Sequence, residues 1–420
     1  MTGGKKTLKK RTLIAFLLMT TLAASCAAKM NYDLPSEHLT YTPVGESDAI
    51  PVLVDVLSGE ALPDGAEGIQ SEDGSTSVLI GGADGPTSIW IAGEMEEAQP
   101  IEEIAAEPAE ESWPRTFTIT VGGDTTLGST DDLRKRDDCF ENVAEEKGYG
   151  WFFSGLYDLF ASDDMTLVNF EGTLTEETEK KDKKFNFKGP AEYTDILTLG
   201  SIEAVTIANN HTLDYGETGR DDTIANLENA GLTVSGNGIL GVYESRGVKV
   251  GMTGYCFPYK DGKKDISRDV KALREMGCQI VIASFHWGSE YREDFTGEQR
   301  AIGRAAIKAG ADIVVGHHPH IVQGIESYDD TYILYSLGNL VFGGNVDPDD
   351  RDACAVRMTF TVYEDRCFPP EIAIVPLRLT ELEDGTDYRP VIAEGEEGER
   401  IVNRILKRSY KMDGFENGSW

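Results

Sequence analysis

From residue 116 onward the chain alternates apolar runs of strand length with helix-like segments. The runs fall at 116–122, 165–170, 203–208, 232–235, 248–256, 279–285, 312–316, 331–337, 354–363 and 371–378. Helix-like segments lie between several of them, at 150–161, 190–199, 218–230, 266–276 and 297–309. Thr296 offers an N-cap to the last segment, Gly310 a C-cap, and Gly231 follows the helix ending at Ala230. Alternation of this kind specifies a layered α/β fold, and the strand-rich carboxyl-terminal part makes the sheet mixed.

The polar residues that carry chemistry sit where the runs stop. Five of the six histidines follow apolar runs directly: His211 in AVTIANNH, His286 in IVIASFHW, and His317, His318 and His320 in DIVVGHHPH. Asp124 follows FTITVGG and Glu171 follows MTLVNF. In α/β sheets, ligands bind in the crevice beyond the carboxyl ends of the strands, so these side chains can converge although they span about 200 residues. Imidazole, carboxylate and carboxamide together suit Mn, Fe or Zn. His318-Pro319-His320 can turn two imidazoles toward one ion, and Asn210 offers an oxygen beside His211. A single histidine after a strand is more often a hydrogen-bonded core or surface residue; it is the joint pattern that argues for a divalent-metal site. His317 also fits a residue that lines the pocket, Asp214 a turn or cap, and Glu290 and Tyr291 an ordinary loop.

The amino terminus reads differently. Lys5, Lys6, Lys9, Lys10 and Arg11 precede an apolar core from Thr12 to Ala24, then small residues up to Cys26. That core is too short to span a bilayer, so residues 1–26 are expected to be a signal peptide. Ala23-Ala24-Ser25-Cys26 resembles a bacterial lipoprotein box, which makes Cys26 a lipidation site; ordinary cleavage near the same cluster is the other reading. From Asn31 to Pro114 there are 19 Asp and Glu and no Lys or Arg. Residues 27–113 are therefore expected to be an acidic, solvated tether, with a small hairpin at 77–93. The whole chain has 39 Lys and Arg against 73 Asp and Glu, a net charge of -34. That balance excludes nucleic acid as a partner and leaves a lipid anchor as the route to a membrane. With Cys26 set aside, Cys256, Cys278 and Cys354 read as buried free thiols.

Several strings resemble the CapA family of poly-γ-glutamate capsule biosynthesis proteins: GGDTTLG, VNFEGTLT, FNFKGP, IANNHTLDYG, FHWGSEY, VVGHHPHIVQGIE and YSLGNLVF, in that order. The resemblance covers residues 114–410 and implies a metallophosphoesterase-like four-layer α/β/β/α sandwich over 114–420. It implies a shell for one or two metal ions made of Asp124, Glu171, Asn210, His211, His286, His318 and His320. His211 and His286 are then the candidates for proton transfer. Lys188, Asn209, Glu290, His317 and Asn339 are the candidates for contact with substrate. Lys188 follows a run of lysines at 180–184, which reads either as a solvated loop or as a landing site for a polyanion. The implied role is an exported, lipid-anchored protein of the cell envelope. It acts on an anionic polymer such as poly-γ-glutamate as a metal-dependent hydrolase, or serves membrane synthase and export subunits without catalysis. One departure matters. Metallophosphoesterases open with Asp-x-His, whereas this chain has Asp124-Thr125-Thr126, and Glu171 stands where the superfamily has Asp.

Overall fold

The computed structural model describes residues 112–258 and 262–418, and the backbone of three strands nearer the amino terminus. The expected signal peptide, the lipidation site Cys26 and most of the expected tether lie outside the described residues. Glu67–Gln70, Thr76–Gly82 and Gly85–Ala92 form a three-stranded antiparallel sheet. The chain divides into two units between Pro108 and Ala109, and the second carries the candidate site.

In chain order the strands of that second unit begin with β1 (Arg115–Thr126), β2 (Met165–Phe170), β3 (Ala204–Thr206), β4 (Thr233–Ser235), β5 (Gly241–Ser245), β6 (Val248–Cys256) and β7 (Ile280–His286). They continue with β8 (Ile313–His317), β9 (Ile325–Tyr328), β10 (Thr331–Leu334), β11 (Asn339–Phe342), β12 (Asp352–Val362), β13 (Glu371–Arg378) and β14 (Val391–Ile392). The helices are α1 (Phe140–Lys147), α2 (Tyr157–Ala161), α3 (Thr194–Leu199), α4 (Gly216–Asn229), α5 (Gly262–Glu275), α6 (Gly297–Lys308) and α7 (Gly395–Lys407). One sheet has the order β14-β13-β12-β1-β2-β3-β4, with β11 also on β1; the other has the order β5-β6-β7-β8-β10-β9. Strands β1 to β4 run parallel, as do β6, β7, β8 and β10; antiparallel pairing adds β12, β13 and β14 beyond β1 in the first sheet and β5 and β9 at the two ends of the second. A short parallel pair, Thr173–Leu174 with Lys188–Gly189, ties the loop after β2 to the lysine-rich segment.

Side chains on a strand alternate between faces, and here both faces are buried. Ile280 and Ile282 of β7 enter a core shared with Ile119, Val121, Leu167, Val250, Met252, Val315 and Val356, contributed by both sheets. Val281, Ala283 and Phe285 of the same strand join Ile266, Val270, Leu273, Ile302 and Ala306 of α5 and α6. On the far side, Val168 and Phe170 of β2 meet Phe140, Leu159, Ile196, Leu197 and Leu227 of α1 to α4. The layers therefore run helix, sheet, sheet, helix, and the runs read as strands are strands because both of their faces are covered.

Several elements depart from expectation. The segment 150–161 is not one helix: a 3-10 turn at Tyr149–Trp151 and the short α2 are separated near Gly155, whose missing side chain admits the Pro390 carbonyl. The segment 190–199 opens with a 3-10 turn at Ala191–Tyr193 after Pro190 before α3 begins. Helices α1 and α7 and strands β5, β9 and β11 were not expected. By contrast, Thr296 does cap α6. Its hydroxyl accepts from Gln299 N at 3.1 Å, the Gln299 side chain accepts from Thr296 N at 2.8 Å, and Gly310 follows the helix at φ 103°. Cys139, Cys256, Cys278, Cys354 and Cys367 are free thiols.

Two carboxyls, one buried and one half-buried, give tests of the packing. Glu326 on β9 is fully buried and accepts from Arg304 Nε at 2.9 Å and from the Tyr335 hydroxyl at 2.6 Å, fastening α6 to the sheet. Removing one partner of a buried pair strands the others, so Glu326→Ala should lower unfolding free energy by about 3 kcal/mol, read from the urea midpoint. Burial pushes the Asp163 carboxyl up to about 7, against the hydrogen bond it accepts from Thr166 at 2.9 Å. In the unfolded chain it titrates near about 3.9. The folded state thus holds a proton that the unfolded state has released, and stability should fall as pH rises from about 4 to 7. Asp163→Asn should flatten that part of the stability profile, measured by urea melts across the range.

Candidate metal centre

Every expected donor lies at or just past a strand end on one side of the sandwich. From the first sheet come Asp124 near the end of β1, Glu171 after β2, Asn209, Asn210 and His211 after β3, and Asn339 at the start of β11. From the second come His286 and His317, the last residues of β7 and β8, with His318 and His320 beyond. Register aligns them: Asp124 lies opposite Asn169 and Asn339, and His286 opposite His317. β1 reaches this position because residue 123 is glycine. A Cβ there would stand 2.1 Å from the Gly338 carbonyl oxygen, to which Asp124 N donates at 3.0 Å.

Asp124 is wholly buried and held from several sides. Oδ1 accepts from Asn169 Nδ2 at 2.8 Å and Oδ2 accepts from His318 N at 3.2 Å. His317 Nδ1 lies 3.4 Å from Oδ1, and His320 Nδ1 3.3 Å from Oδ2. Burial pushes this carboxyl up, but the His317 and His320 imidazoles outweigh it and hold it well below the usual carboxylate range. Glu171 is the opposite case. It is fully buried, and neither carboxylate oxygen has a hydrogen-bond partner. His286 Nε2 stands 3.4 Å and His211 Nε2 3.9 Å from Oε1. Burial pushes Glu171 up to about 8; His320 opposes the rise, while Asp124, Asp214 and Glu290 add to it.

Potential ligand atoms group in three overlapping sets, each within 4.8 Å: Glu171, His286 and His318; Asp124, Glu171 and His320; Glu290, His318 and His320. Asn210 Oδ1 joins the first at 2.7 Å from His286 Nε2, and Asn339 Oδ1 reaches His320 Nδ1 at 2.9 Å. The chemistry of these donors fits a divalent cation. Both Glu171 carboxylate oxygens and His318 Nδ1 are buried without partners, and Glu171 and His318 share one of these sets, with further oxygen and nitrogen donors at hand. The turn that carries His318 and His320 is strained, with φ 96° and 60° at these two residues. Side chains other than glycine cost about 1–3 kcal/mol there, and such strain gathers at functional sites.

His211 is oriented by a neighbour. Its Nδ1 pairs with Asp214 Oδ2 at 2.8 Å, which makes Nδ1 the donor and turns Nε2 toward Glu171. Asp214 also accepts from Phe187 N at 2.6 Å and pairs with Lys183. Asp214 is thus a brace within the site as well as a turn residue. Asn209 is a brace too. Its Nδ2 donates to Asn169 Oδ1 at 3.1 Å and to Phe170 O at 2.7 Å, and its Oδ1 accepts from His211 N at 3.1 Å.

Lys188 turns elsewhere, donating to Glu177 O at 2.9 Å and lying 4.9 Å from the Tyr215 ring centre. Lys183, five residues earlier, is the lysine beside the centre, 2.9 Å from Asn210 O and 3.2 Å from His211 Nδ1. His317 is buried among these groups with neither ring nitrogen hydrogen-bonded, and Glu290 is exposed at the mouth. Asn169 went unrecognised in the sequence because it stands inside the apolar run MTLVNF; its place two residues before Glu171 was the available signal. Thr126 occupies the third position of the motif that lacks histidine, and its hydroxyl donates to Glu171 O at 2.8 Å.

Fold and site together define an α/β sandwich protein with a histidine-carboxylate centre at its strand ends. The family model "Bacterial capsule synthesis protein PGA_cap" matches residues 118–344, more than half of the chain, and the chain belongs to that family. "PGA biosynthesis protein CapA" of Bacillus subtilis (strain 168) is 32% identical over 225 residues, 48% of this chain and 59% of that one. "Capsule biosynthesis protein CapA" of Bacillus anthracis is 27% identical over 266 residues, 57% of this chain and 62% of that one. "Probable polyglutamine synthesis accessory protein" of Mycobacterium tuberculosis is 29% identical over 210 residues, 42% of this chain and 55% of that one. The chain thus spans about three-fifths of the length of the curated relatives it matches.

Asn169 supports Asp124 from behind, and loss of such an orienting partner costs about 10–100-fold in metal affinity. Asn169→Ala should weaken Mn binding by that factor while the protein still unfolds cooperatively, measured by titration calorimetry and urea melts. Unchanged affinity would remove Asn169 from the centre.

Proposed function

We propose that this chain is an exported, metal-dependent hydrolase in the synthesis or processing of an anionic cell-envelope polymer, poly-γ-glutamate or a related γ-glutamyl or phosphate-bearing chain. The pathway rests on family membership and on the names of the Bacillus relatives. The activity rests on one observation: the unpartnered, fully buried Glu171 carboxylate among His286, His318, His320 and Asp124. Asp124, Glu171, Asn210, His286, His318 and His320 would hold the ion or ions. A divalent cation bound there supplies Lewis acidity and lowers the pKa of water to about 7.

The remaining work belongs to the chain's own groups. His286 lies among the candidate ligands, with Nε2 2.7 Å from the Asn210 Oδ1 acceptor and 3.4 Å from Glu171 Oε1, and Nδ1 3.4 Å from the Asn169 Nδ2 donor, which suits a ligand. His211 is the better proton carrier, because Asp214 fixes its Nδ1 and leaves Nε2 directed into the crevice. Burial lowers the His211 pKa, with Asp214 opposing, so the imidazole can accept a proton near neutrality. Among the described residues no helix is long and apolar enough to cross a membrane. In this reading the membrane is reached through the leader and a lipidated Cys26.

A second reading has its own support. The missing histidine of Asp124-Thr125-Thr126, and a mycobacterial relative named as an accessory protein, favour a non-catalytic role beside membrane synthase or export subunits. The two separate on assay. Wild type, His211→Ala and His320→Ala are loaded with Mn and given phosphomonoester, phosphodiester and γ-glutamyl substrates. The hydrolase reading expects turnover in the wild type and metal loss in His320→Ala. In His211→Ala it expects metal retained and turnover reduced by about 10²–10⁴-fold, the usual contribution of a positioned acid or base. Bound metal without turnover on any substrate class would establish the accessory reading instead.

A further inference from the structure

The cation sites implied by the two buried sets are not equally complete. Glu171, His286 and His318 have Asn210 Oδ1 beside them, giving four protein donors. Asp124, Glu171 and His320 lack the histidine that Asp-x-His would supply. In its place Thr126 is buried and spends its hydroxyl on the Glu171 backbone. The third set, Glu290 with His318 and His320, brings a carboxylate from the solvent side onto the same two imidazoles.

We propose that Glu290 is a metal ligand, which with His318 and His320 closes the solvent side of the centre and supplies a donor that the missing histidine leaves absent. This rests on the metal-dependent reading given above.

The loop that carries Glu290 is built to hold it there. Tyr291 N donates to Pro319 O at 2.8 Å, inside the His318-Pro319-His320 turn. Tyr291 itself takes φ 58°, and its ring lies 6.3 Å from that of His320. One residue further, Arg292 O accepts from Gln323 Nε2 at 2.7 Å, and Glu293 pairs with Arg408 at 2.8 Å. Backbone contacts before it, from Trp287 N to His317 O at 3.1 Å, and after it therefore hold Glu290 near the two histidines. The Nδ1 atom of His318 is buried without a hydrogen-bond partner, which is the second sign of a ligand at this place. A carboxylate also suits the position chemically. It is anionic where a histidine would be neutral, so it adds negative charge to a centre already holding Asp124 and Glu171, and it favours harder ions such as Mn over Zn. Because Glu290 is exposed, it is also the one ligand that a substrate carboxylate or phosphate could displace without disturbing the buried set.

The test uses the full chain, stripped of metal and titrated with Mn alone. Wild type should bind two Mn per chain, with the exchange-coupled electron paramagnetic resonance spectrum of a close ion pair. Glu290→Ala should weaken one of the two sites by at least about tenfold, the lower end of what loss of even an orienting partner costs. Its spectrum should become that of an isolated Mn, with the other site unchanged. Glu290→Asp should recover part of the loss. Asp294→Ala, an exposed carboxylate on the same loop outside these contacts, should behave as wild type. Thermal melts of the metal-free variants should coincide, since Glu290 is exposed. Two intact sites and a coupled spectrum in Glu290→Ala would overturn the proposal while leaving the metal-dependent reading in place. Absence of Mn binding by the wild type would overturn both.

Discussion

A glutamate carboxylate buried without a hydrogen bond is the interaction around which this molecule is arranged. Glu171 is fully buried, and both of its oxygens lack partners. An uncompensated charge in such a place costs several kcal/mol. The rest of the centre can be understood as the means of tolerating that cost. His286 and His211 approach Oε1, the buried His320 is drawn toward the protonated state by Glu171 and Asp124, and the pKa of Glu171 itself rises to about 8. Each of these is a partial answer. A divalent cation satisfies the carboxylate and the imidazoles together, since oxygen and nitrogen lone pairs are what it requires.

Two sheets are needed to make this arrangement. The carboxylates Asp124 and Glu171 and the amides come from the first sheet, while the imidazoles of His286, His317, His318 and His320 come from the second. Only His211, after β3, and Glu290, after β7, cross that division. The shared apolar layer of Ile119, Val121, Leu167, Val250, Met252, Ile280 and Val315 fixes one sheet against the other, and so sets the spacing of the donors. Close packing of this kind tolerates little change in volume. The same rigidity lets the His318-Pro319-His320 turn keep two unfavourable backbone conformations. His318 N donates to Asp124 Oδ2, and the Ser336 hydroxyl donates to Ile321 O at 2.8 Å on the far side of the turn.

Much of this was legible in the sequence because strands buried on both faces produce long apolar runs, and the chemistry begins where each run ends. Asp124, Glu171, His211, His286, His318 and His320 are all visible that way. Asn169 is not: it lies within its run, and only the register of β2 on β1 shows that its amide faces Asp124. Lys183 and Lys188 could not be told apart by charge. The difference is set by the short Thr173–Leu174 and Lys188–Gly189 pairing, a long-range contact that leaves Lys188 over Tyr215 and turns Lys183 toward Asp214. Helix α7 was missed although Ile401, Val402, Ile405 and Leu406 recur at helical spacing; its first turn, Gly395-Glu396-Glu397-Gly398, carries no apolar side chain, and Ile401 and Ile405 are buried at the edge of the inter-sheet core.

The charge of the chain bears on how an anionic polymer could be held at all. Of the net -34, 19 acidic residues without a compensating base lie between Asn31 and Pro114. The field of the whole protein therefore opposes a polyanion at long range, although at physiological ionic strength screening confines that repulsion to about 8 Å. Attraction must be local. The lysine-rich loop supplies less of it than the sequence suggests, because Lys180 pairs with Asp131, Lys183 with Asp214, and Lys188 donates to Glu177 O. The exposed Lys180–Asp131 pair is worth only about 0–1 kcal/mol and can be exchanged, whereas Lys183 is held by the fully buried Asp214, so only part of the loop's positive charge can draw a ligand in. The strongest attraction available to a carboxylate or phosphate at this crevice is then the cation that Asp124, Glu171, His286, His318 and His320 are arranged to hold. Under the proposed function, a single element would both hold the polymer and activate it.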